Sequence, residues 1–126
     1  SLEKHLYFEV SSQAGRIQRI RVNGSTNVFV TQFSGSCYGL FIDVANTLYC
    51  SMKDNHLVSS ASLNTNSNTV TTRAGTGFNG STMRQLNAPW GIFVDINLDL
   101  YVADAGNNRI QRFTANNFTA TTVAGR

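Results

Sequence analysis

One displacement constrains this chain more than anything else in it. Sliding the sequence by 52 residues lays Gly39-Leu40-Phe41-Ile42-Asp43 on Gly91-Ile92-Phe93-Val94-Asp95 without a gap. The same shift lays Leu48-Tyr49-Cys50-Ser51 on Leu100-Tyr101-Val102-Ala103, and Asn55-His56-Leu57-Val58 on Asn107-Asn108-Arg109-Ile110. A third copy begins at Leu6-Tyr7-Phe8-Glu9-Val10 and resumes at Arg16-Ile17-Gln18-Arg19-Ile20, with Tyr7 standing 42 residues before Tyr49. Thr71-Thr72-Arg73-Ala74-Gly75 also returns, 50 residues on, as Thr121-Thr122-Val123-Ala124-Gly125. Each run is short, apolar and rich in β-formers, and Asp, Asn and Gly bound it, which is the pattern of strands joined by turns. A repeat of this length with three or four strands per unit predicts an all-β chain of β-propeller blades. Such a blade cannot bury both of its faces alone and must stack on its neighbours.

The copy at 86–113 carries the most specific residues: Pro89-Trp90-Gly91-Ile92-Phe93-Val94-Asp95, then Leu100-Tyr101-Val102-Ala103-Asp104, then Asn107-Asn108-Arg109-Ile110. It resembles the NHL repeat family, with its Pro-x-Gly-Ile-x-Val-Asp strand, Leu-Tyr-Val-Ala-Asp strand and Asn-Asn-Arg-Ile. The resemblance extends over almost the whole chain. It implies a ring of blades, often six, that acts mainly as an interaction platform; no cofactor is expected, and the lack of a catalytic set leans against an enzyme while leaving the question open.

Residues 1–126 are expected to form one propeller segment with about three four-stranded blades, at 6–31, 39–74 and 91–124, the first lacking its innermost strand. The strands are expected near 6–10, 16–22 and 27–31, then 39–44, 47–52, 56–61 and 69–74, then 91–95, 100–103, 110–113 and 121–125. Asn23-Gly24 suits a tight turn between two of them. The Asn-, Ser- and Thr-rich stretch 63–69 reads as an exposed loop, and 75–89 as a crossover between blades. A closed propeller takes roughly four to eight blades, so the chain reads as a partial ring, a fragment. Its open faces and edges would meet other blades of the same ring or associate with a second copy.

The formal charge is +3 with a pI near 9.2. The basic residues are scattered, and no run of like charges marks a basic tail. No apolar stretch approaches the ~18 residues of a membrane span. Three glycosylation sequons, at Asn23, Asn79 and Asn117, are about as many as 14 Asn and 25 Ser and Thr produce by chance. Extracellular and cytoplasmic settings both stay open. Cys37 and Cys50 stand where the third copy has Pro89 and Val102. In a straight hairpin Cys50 faces residue 41 and Cys37 lies ~13 Å out of register at ~3.3 Å per residue. That is too far for a disulfide, which needs Cα atoms within ~7 Å.

Asp43 and Asp95 end equivalent strands. They are candidates to cap the next turn by accepting backbone N–H bonds, or to line a channel as a cation pair. Asp104 and Arg109 flank one turn and suit a turn-fixing ion pair; the second copy has Met52 and Leu57 there, so both charges are lost together. The first copy keeps Arg16, with Glu9 beside Val10. His5 and His56 are not equivalent, and no metal-ligand spacing occurs, so no metal site is expected. No nucleophile motif or phosphate loop is present.

Tyr38 and Trp90 are equivalent, each just before the glycine that opens an inner strand. The crossovers and middle turns reach the same end of a blade, so a face gathering Tyr38, Trp90, Lys53, His56, Arg73, Arg84, Asn107 and Asn108 is expected. Aromatics among arginines suit a peptide or stacked bases. Three functions follow. The first is a non-enzymatic platform for a protein or peptide. The second is single-stranded RNA binding through this face, like the RNA-gripping propellers of tripartite-motif ubiquitin ligases. The third is a propeller lyase or hydrolase whose active residues lie in other blades.

Overall fold

The computed structural model describes residues 4–22, 24, 26–65 and 69–125. Among them the chain forms strands β1 (His5–Glu9), β2 (Arg16–Arg21), β3 (Asn27–Gln32), β4 (Gly39–Ile42), β5 (Thr47–Met52), β6 (Leu57–Ser62), β7 (Thr71–Ala74), β8 (Pro89–Val94), β9 (Leu100–Asp104), β10 (Arg109–Phe113) and β11 (Thr121–Gly125). Single 3₁₀ turns at Lys53–Asn55 and Ala105–Asn107 are the only helical elements among the described residues. The strands make three antiparallel meanders, β1-β2-β3, β4-β5-β6-β7 and β8-β9-β10-β11. The first sheet has three strands and the others four. Asn23 of the expected Asn23-Gly24 turn and the middle of the 63–69 loop lie outside the described residues; the Gly24 N–H donates to the Arg21 carbonyl at 2.7 Å.

The repeat is visible in the backbone as well as in the residues. Asn46 and Leu98, 52 apart, take the same left-handed conformation (φ 63 and 66), and so do His56 and Asn108 (φ 56 and 54). Asp43 Oδ1 accepts the N–H groups of Ala45 and Thr47, both at 2.9 Å. Asp95 Oδ1 accepts those of Asn97 and Asp99 at 2.9 and 3.0 Å. The hydroxyls of Tyr49 and Tyr101 donate to the second oxygens, at 3.0 and 3.4 Å. The same Asp–Tyr unit thus closes the same turn in both blades, because a carboxylate two residues from the bend can take the donors the turn leaves free.

Strand β5 is buried on both faces from Leu48 to Met52. Its even-numbered residues Leu48, Cys50 and Met52 pack with Ile17 and Phe33 of the first sheet side. Tyr49 packs with Val58, Ala74, Leu86, Val94, Leu100, Val102 and Phe113 in the core shared with the third sheet. The period-2 alternation of a strand delivers one set of side chains to each neighbour. The inner strands β4 and β8 meet closely: a Cβ on Gly39 would stand 2.6 Å from the Trp90 carbonyl oxygen and 2.8 Å from Ser51 Oγ. The Ser51 hydroxyl donates to that same carbonyl. No side chain fits between the blades at this point.

Cys37 and Cys50 form a disulfide with Cα atoms 5.2 Å apart, against the expectation drawn from a straight hairpin. Cys50 pairs with Leu40, and the Tyr38 N–H reaches the Ser51 carbonyl at 2.8 Å, although Gly39 already pairs with Ser51. Two residues therefore oppose one. The equivalent stretch of the third blade shows the same irregularity between Pro89 and Ile92. A bulge of this kind bends the strand, so Cys37 returns over Cys50 rather than running on past it.

Candidate functional site

The 3₁₀ turns after β5 and β9 and the crossover 75–88 come together at one end of the second and third blades. Tyr38 and Trp90 meet there edge to face, with ring centroids 5.3 Å apart. They are 41% and 48% exposed, so the pair is presented to solvent rather than spent in the core. Its origin is local: each aromatic precedes the glycine that opens an inner strand, and Gly39 lets the two strands approach. Lys53, from the 3₁₀ turn, holds its ammonium 4.6 Å from the Trp90 centroid and 5.4 Å from that of Tyr38. Trp is the best aromatic partner for a cation. The neighbouring Asp54 accepts a 3.3 Å bond from the Tyr38 hydroxyl. Its negative charge is the main reason the Tyr38 phenol titrates above its ordinary value of 10.0, with smaller contributions from desolvation and from the bond itself.

Of the other residues expected on this face, His56 is held by its Nδ1 accepting the Ala88 N–H at 3.0 Å. The ring ties the second blade's turn to the crossover. Asn107 donates to the Gly80 carbonyl at 2.7 Å and to Asp104 Oδ2 at 2.9 Å, so its amide is occupied in fixing the loop. Asn108 is exposed at the left-handed turn position, and Arg84 is exposed on the crossover. Arg73 is not at this end. Its guanidinium lies over the Tyr49 ring, 5.5 Å from the centroid, and donates to the Tyr49 hydroxyl at 3.4 Å. That hydroxyl itself binds Asp43, which places Arg73 toward the opposite turns.

Asp104 and Arg109 form a 2.7 Å ion pair with both side chains removed from solvent. Arg109 also donates to the carbonyls of Ser81, Thr82 and Gln85, at 3.0, 2.8 and 3.2 Å, and Asp104 accepts the Asn87 N–H at 2.6 Å. The pair therefore fastens the crossover that carries Arg84 and leads into Trp90 on β8. In the first blade the counterpart Arg16 instead lies over Phe29, 4.5 Å from its centroid, while Glu9 accepts the Cys37 N–H at 3.1 Å.

Asp54 was not among the expected residues, since a lone exposed acid carries no pattern; only its place one residue after Lys53 hints at it. Among the described residues no three His, Cys, Asp or Glu side chains gather as metal ligands, and no helix is long and apolar enough to cross a membrane.

No curated protein matches the chain. Solved structures match it by fold over nearly its whole length. A chain of a nidogen/laminin complex superposes with a TM-score of 0.73 at 15% identity, over 96% of this chain and 43% of that one. An auxiliary nutrient binding protein from Bacteroides thetaiotaomicron VPI-5482 gives 0.73 at 21% identity, over 99% and 34%. Virginiamycin B lyase from Staphylococcus aureus gives 0.69 at 16%, over 97% and 38%. The chain thus spans less than half the length of each, and at these identities the likeness is one of fold, that of propeller proteins. The NHL repeat model matches residues 86–113, the stretch with the Asp104–Arg109 pair and Trp90. Residues 86–113, which hold the first three strands of the third blade, match the NHL repeat, in an all-β chain that shares the fold of propeller proteins.

Proposed function

We propose that the chain is a non-enzymatic interaction module that binds a protein or peptide partner at the Tyr38–Trp90–Lys53 cluster. The observation that carries the reading is the exposed edge-to-face aromatic pair with an ammonium over both rings. Tyr and Trp are the residues on which protein interfaces concentrate their binding energy, because a rigid aromatic buries much area at little entropic cost. Asp54 and Lys53 on the rim add one charge of each sign to fix orientation. Two of the similar folds, the nidogen/laminin complex and the nutrient binding protein, are named for binding, which favours the same class of role; the lyase shows that the fold also hosts chemistry. The disulfide adds a setting: Cys37–Cys50 persists in an oxidising compartment, outside the reducing cytosol. The RNA reading is weakened because Arg73 does not reach this face, leaving Lys53 and Arg84 as its cations.

A displayed random-peptide library selected on the oxidised chain tests the proposal. Selected peptides should lose about tenfold or more in affinity on Trp90→Ala, with the fold intact by circular dichroism. Absence of any Trp90-dependent peptide, or tight Trp90-dependent binding of mixed-sequence single-stranded RNA at physiological salt, would overturn it.

A further inference from the structure

The second and third blades differ at a further polar layer, away from the aromatic pair. In the third blade Arg112, on β10, reaches Asp99 with Nε 3.1 Å from Oδ2. The equivalent residues of the second blade, 52 positions earlier, are Ser60 and Thr47. Both members of the pair are replaced at once by short hydroxyl side chains. A cavity of about 290 Å³ opens where the pair would be, lined by Thr47, Ser60, Ser62, Thr71 and Arg73 of the second blade and by Asn116 of the third. Among its lining residues only Ala61 is apolar.

Into this space comes a guanidinium that the repeat does not require. Arg73 stands where the third blade has Val123, 50 residues on. The Asp95–Tyr101 unit is complete without it, at 3.4 Å, so the second blade's Asp43–Tyr49 unit does not need Arg73 to hold its turn. Arg73 is braced by the buried Tyr49 ring and hydroxyl through one of its amino groups. Among the described residues no carboxylate lies within ion-pair distance of it. The second blade has thus kept a cation at this layer, moved it from β6 to β7, and lost the anion.

We propose that the cleft between the second and third blades is a binding site for a small polyhydroxylated carboxylate, of the sugar-acid class. The ligand's carboxylate supplies to Arg73 what Asp99 supplies to Arg112, and a guanidinium takes a carboxylate in two parallel bonds with defined geometry. The hydroxyls of Thr47, Ser60, Ser62 and Thr71 each donate and accept, which matches the hydroxyls of such a ligand and not an alkyl acid. The site is independent of the aromatic face.

Calorimetric or NMR titration of the full oxidised chain with D-glucuronate tests this, beside D-glucose and inorganic sulfate. Saturable binding of glucuronate is expected, with glucose at least about tenfold weaker because it loses the bond to the charged group, and sulfate at least about tenfold weaker because it loses the hydroxyl contacts. Arg73→Gln should lose at least about tenfold for glucuronate. The double variant Thr47→Asp, Ser60→Arg should close the cleft with the repeat's own ion pair and abolish binding while the thermal transition is kept. If either variant unfolds, the amides shifted by glucuronate in the unaltered chain decide: shifts centred on Ser60, Ser62 and Thr71 support the site, and shifts elsewhere overturn it. No saturable binding, sulfate binding as tight as glucuronate, or an unchanged Arg73→Gln variant overturns it as well.

Discussion

Arg109 spans the space between Asp104 and the crossover, bonding one carboxylate at 2.7 Å and three backbone carbonyls of residues 81–85 with a side chain that is almost wholly buried. A buried charge that loses its partner keeps its desolvation cost and has nothing to offset it. Asp104→Ala should therefore cost roughly 3–5 kcal/mol, and Asp104→Asn less, because the amide oxygen still accepts from the Asn87 N–H. Chemical denaturation of the two variants checks the order. Equal and small losses would mean that the crossover is held by other contacts.

Reducing the Cys37–Cys50 bond should destabilise the second blade. A closed loop of this size, with a separation of 13 residues, removes about 3 kcal/mol of denatured-state entropy in the chain-entropy account. The expected outcome is a clear drop in melting temperature on adding reductant, with no further drop from reductant in a Cys37→Ala, Cys50→Ala variant. A melting temperature indifferent to reductant would contradict the bond.

Val102 is fully buried in the core shared by the second and third blades. Val102→Ala should cost about 1–3 kcal/mol through lost burial and the cavity left behind. Phe118, 47% exposed, should tolerate Ala within about 0.5 kcal/mol, as surface positions do.

Burial pushes the Tyr49 phenol above its ordinary value of 10.0; Arg73 partly opposes this, and the bond to Asp43 reinforces it. In the unfolded chain the phenol loses its proton near that ordinary value, while the folded chain retains it. The unfolded state then binds fewer protons, so stability falls as pH rises. The contribution is full below about pH 10 and is lost progressively through the folded-state value above it. Denaturation curves from pH 8 to 11 should show this decline, and Tyr49→Phe should flatten it while lowering stability at pH 8.

Much of the fold is legible in the residues because strand periodicity and turn chemistry are local. Leu48-Tyr49-Cys50-Ser51 announces a strand buried on both faces, and Asp43 and Asp95 announce their turns two residues before the bend. The disulfide was hidden by two things that a linear count does not show: a register in which Cys50 faces Leu40 rather than residue 41, and a bulge that bends the strand and brings Cys37 back over Cys50. Arg73 was misplaced for a related reason. Its backbone lies near the aromatic end, but its side chain runs back along Tyr49, and side-chain direction on an irregular strand does not follow from spacing. The open cleft beside it does have a sequence signal, the joint replacement of Arg112 and Asp99 by Ser60 and Thr47, but only once the two blades are laid side by side.

Gly39 has a consequence for recognition. Tyr38 belongs to the second blade and Trp90 to the third, and their ring contact exists only because nothing at residue 39 holds β4 and β8 apart. A ligand that grips both rings therefore binds the stacked state and not the separated one. By mass action it adds to the free energy of stacking, about 2.7 kcal/mol at a hundred times its dissociation constant. The surface is in that sense a gauge of blade spacing: whatever loosens the stack weakens the ligand, and the ligand in turn tightens the stack.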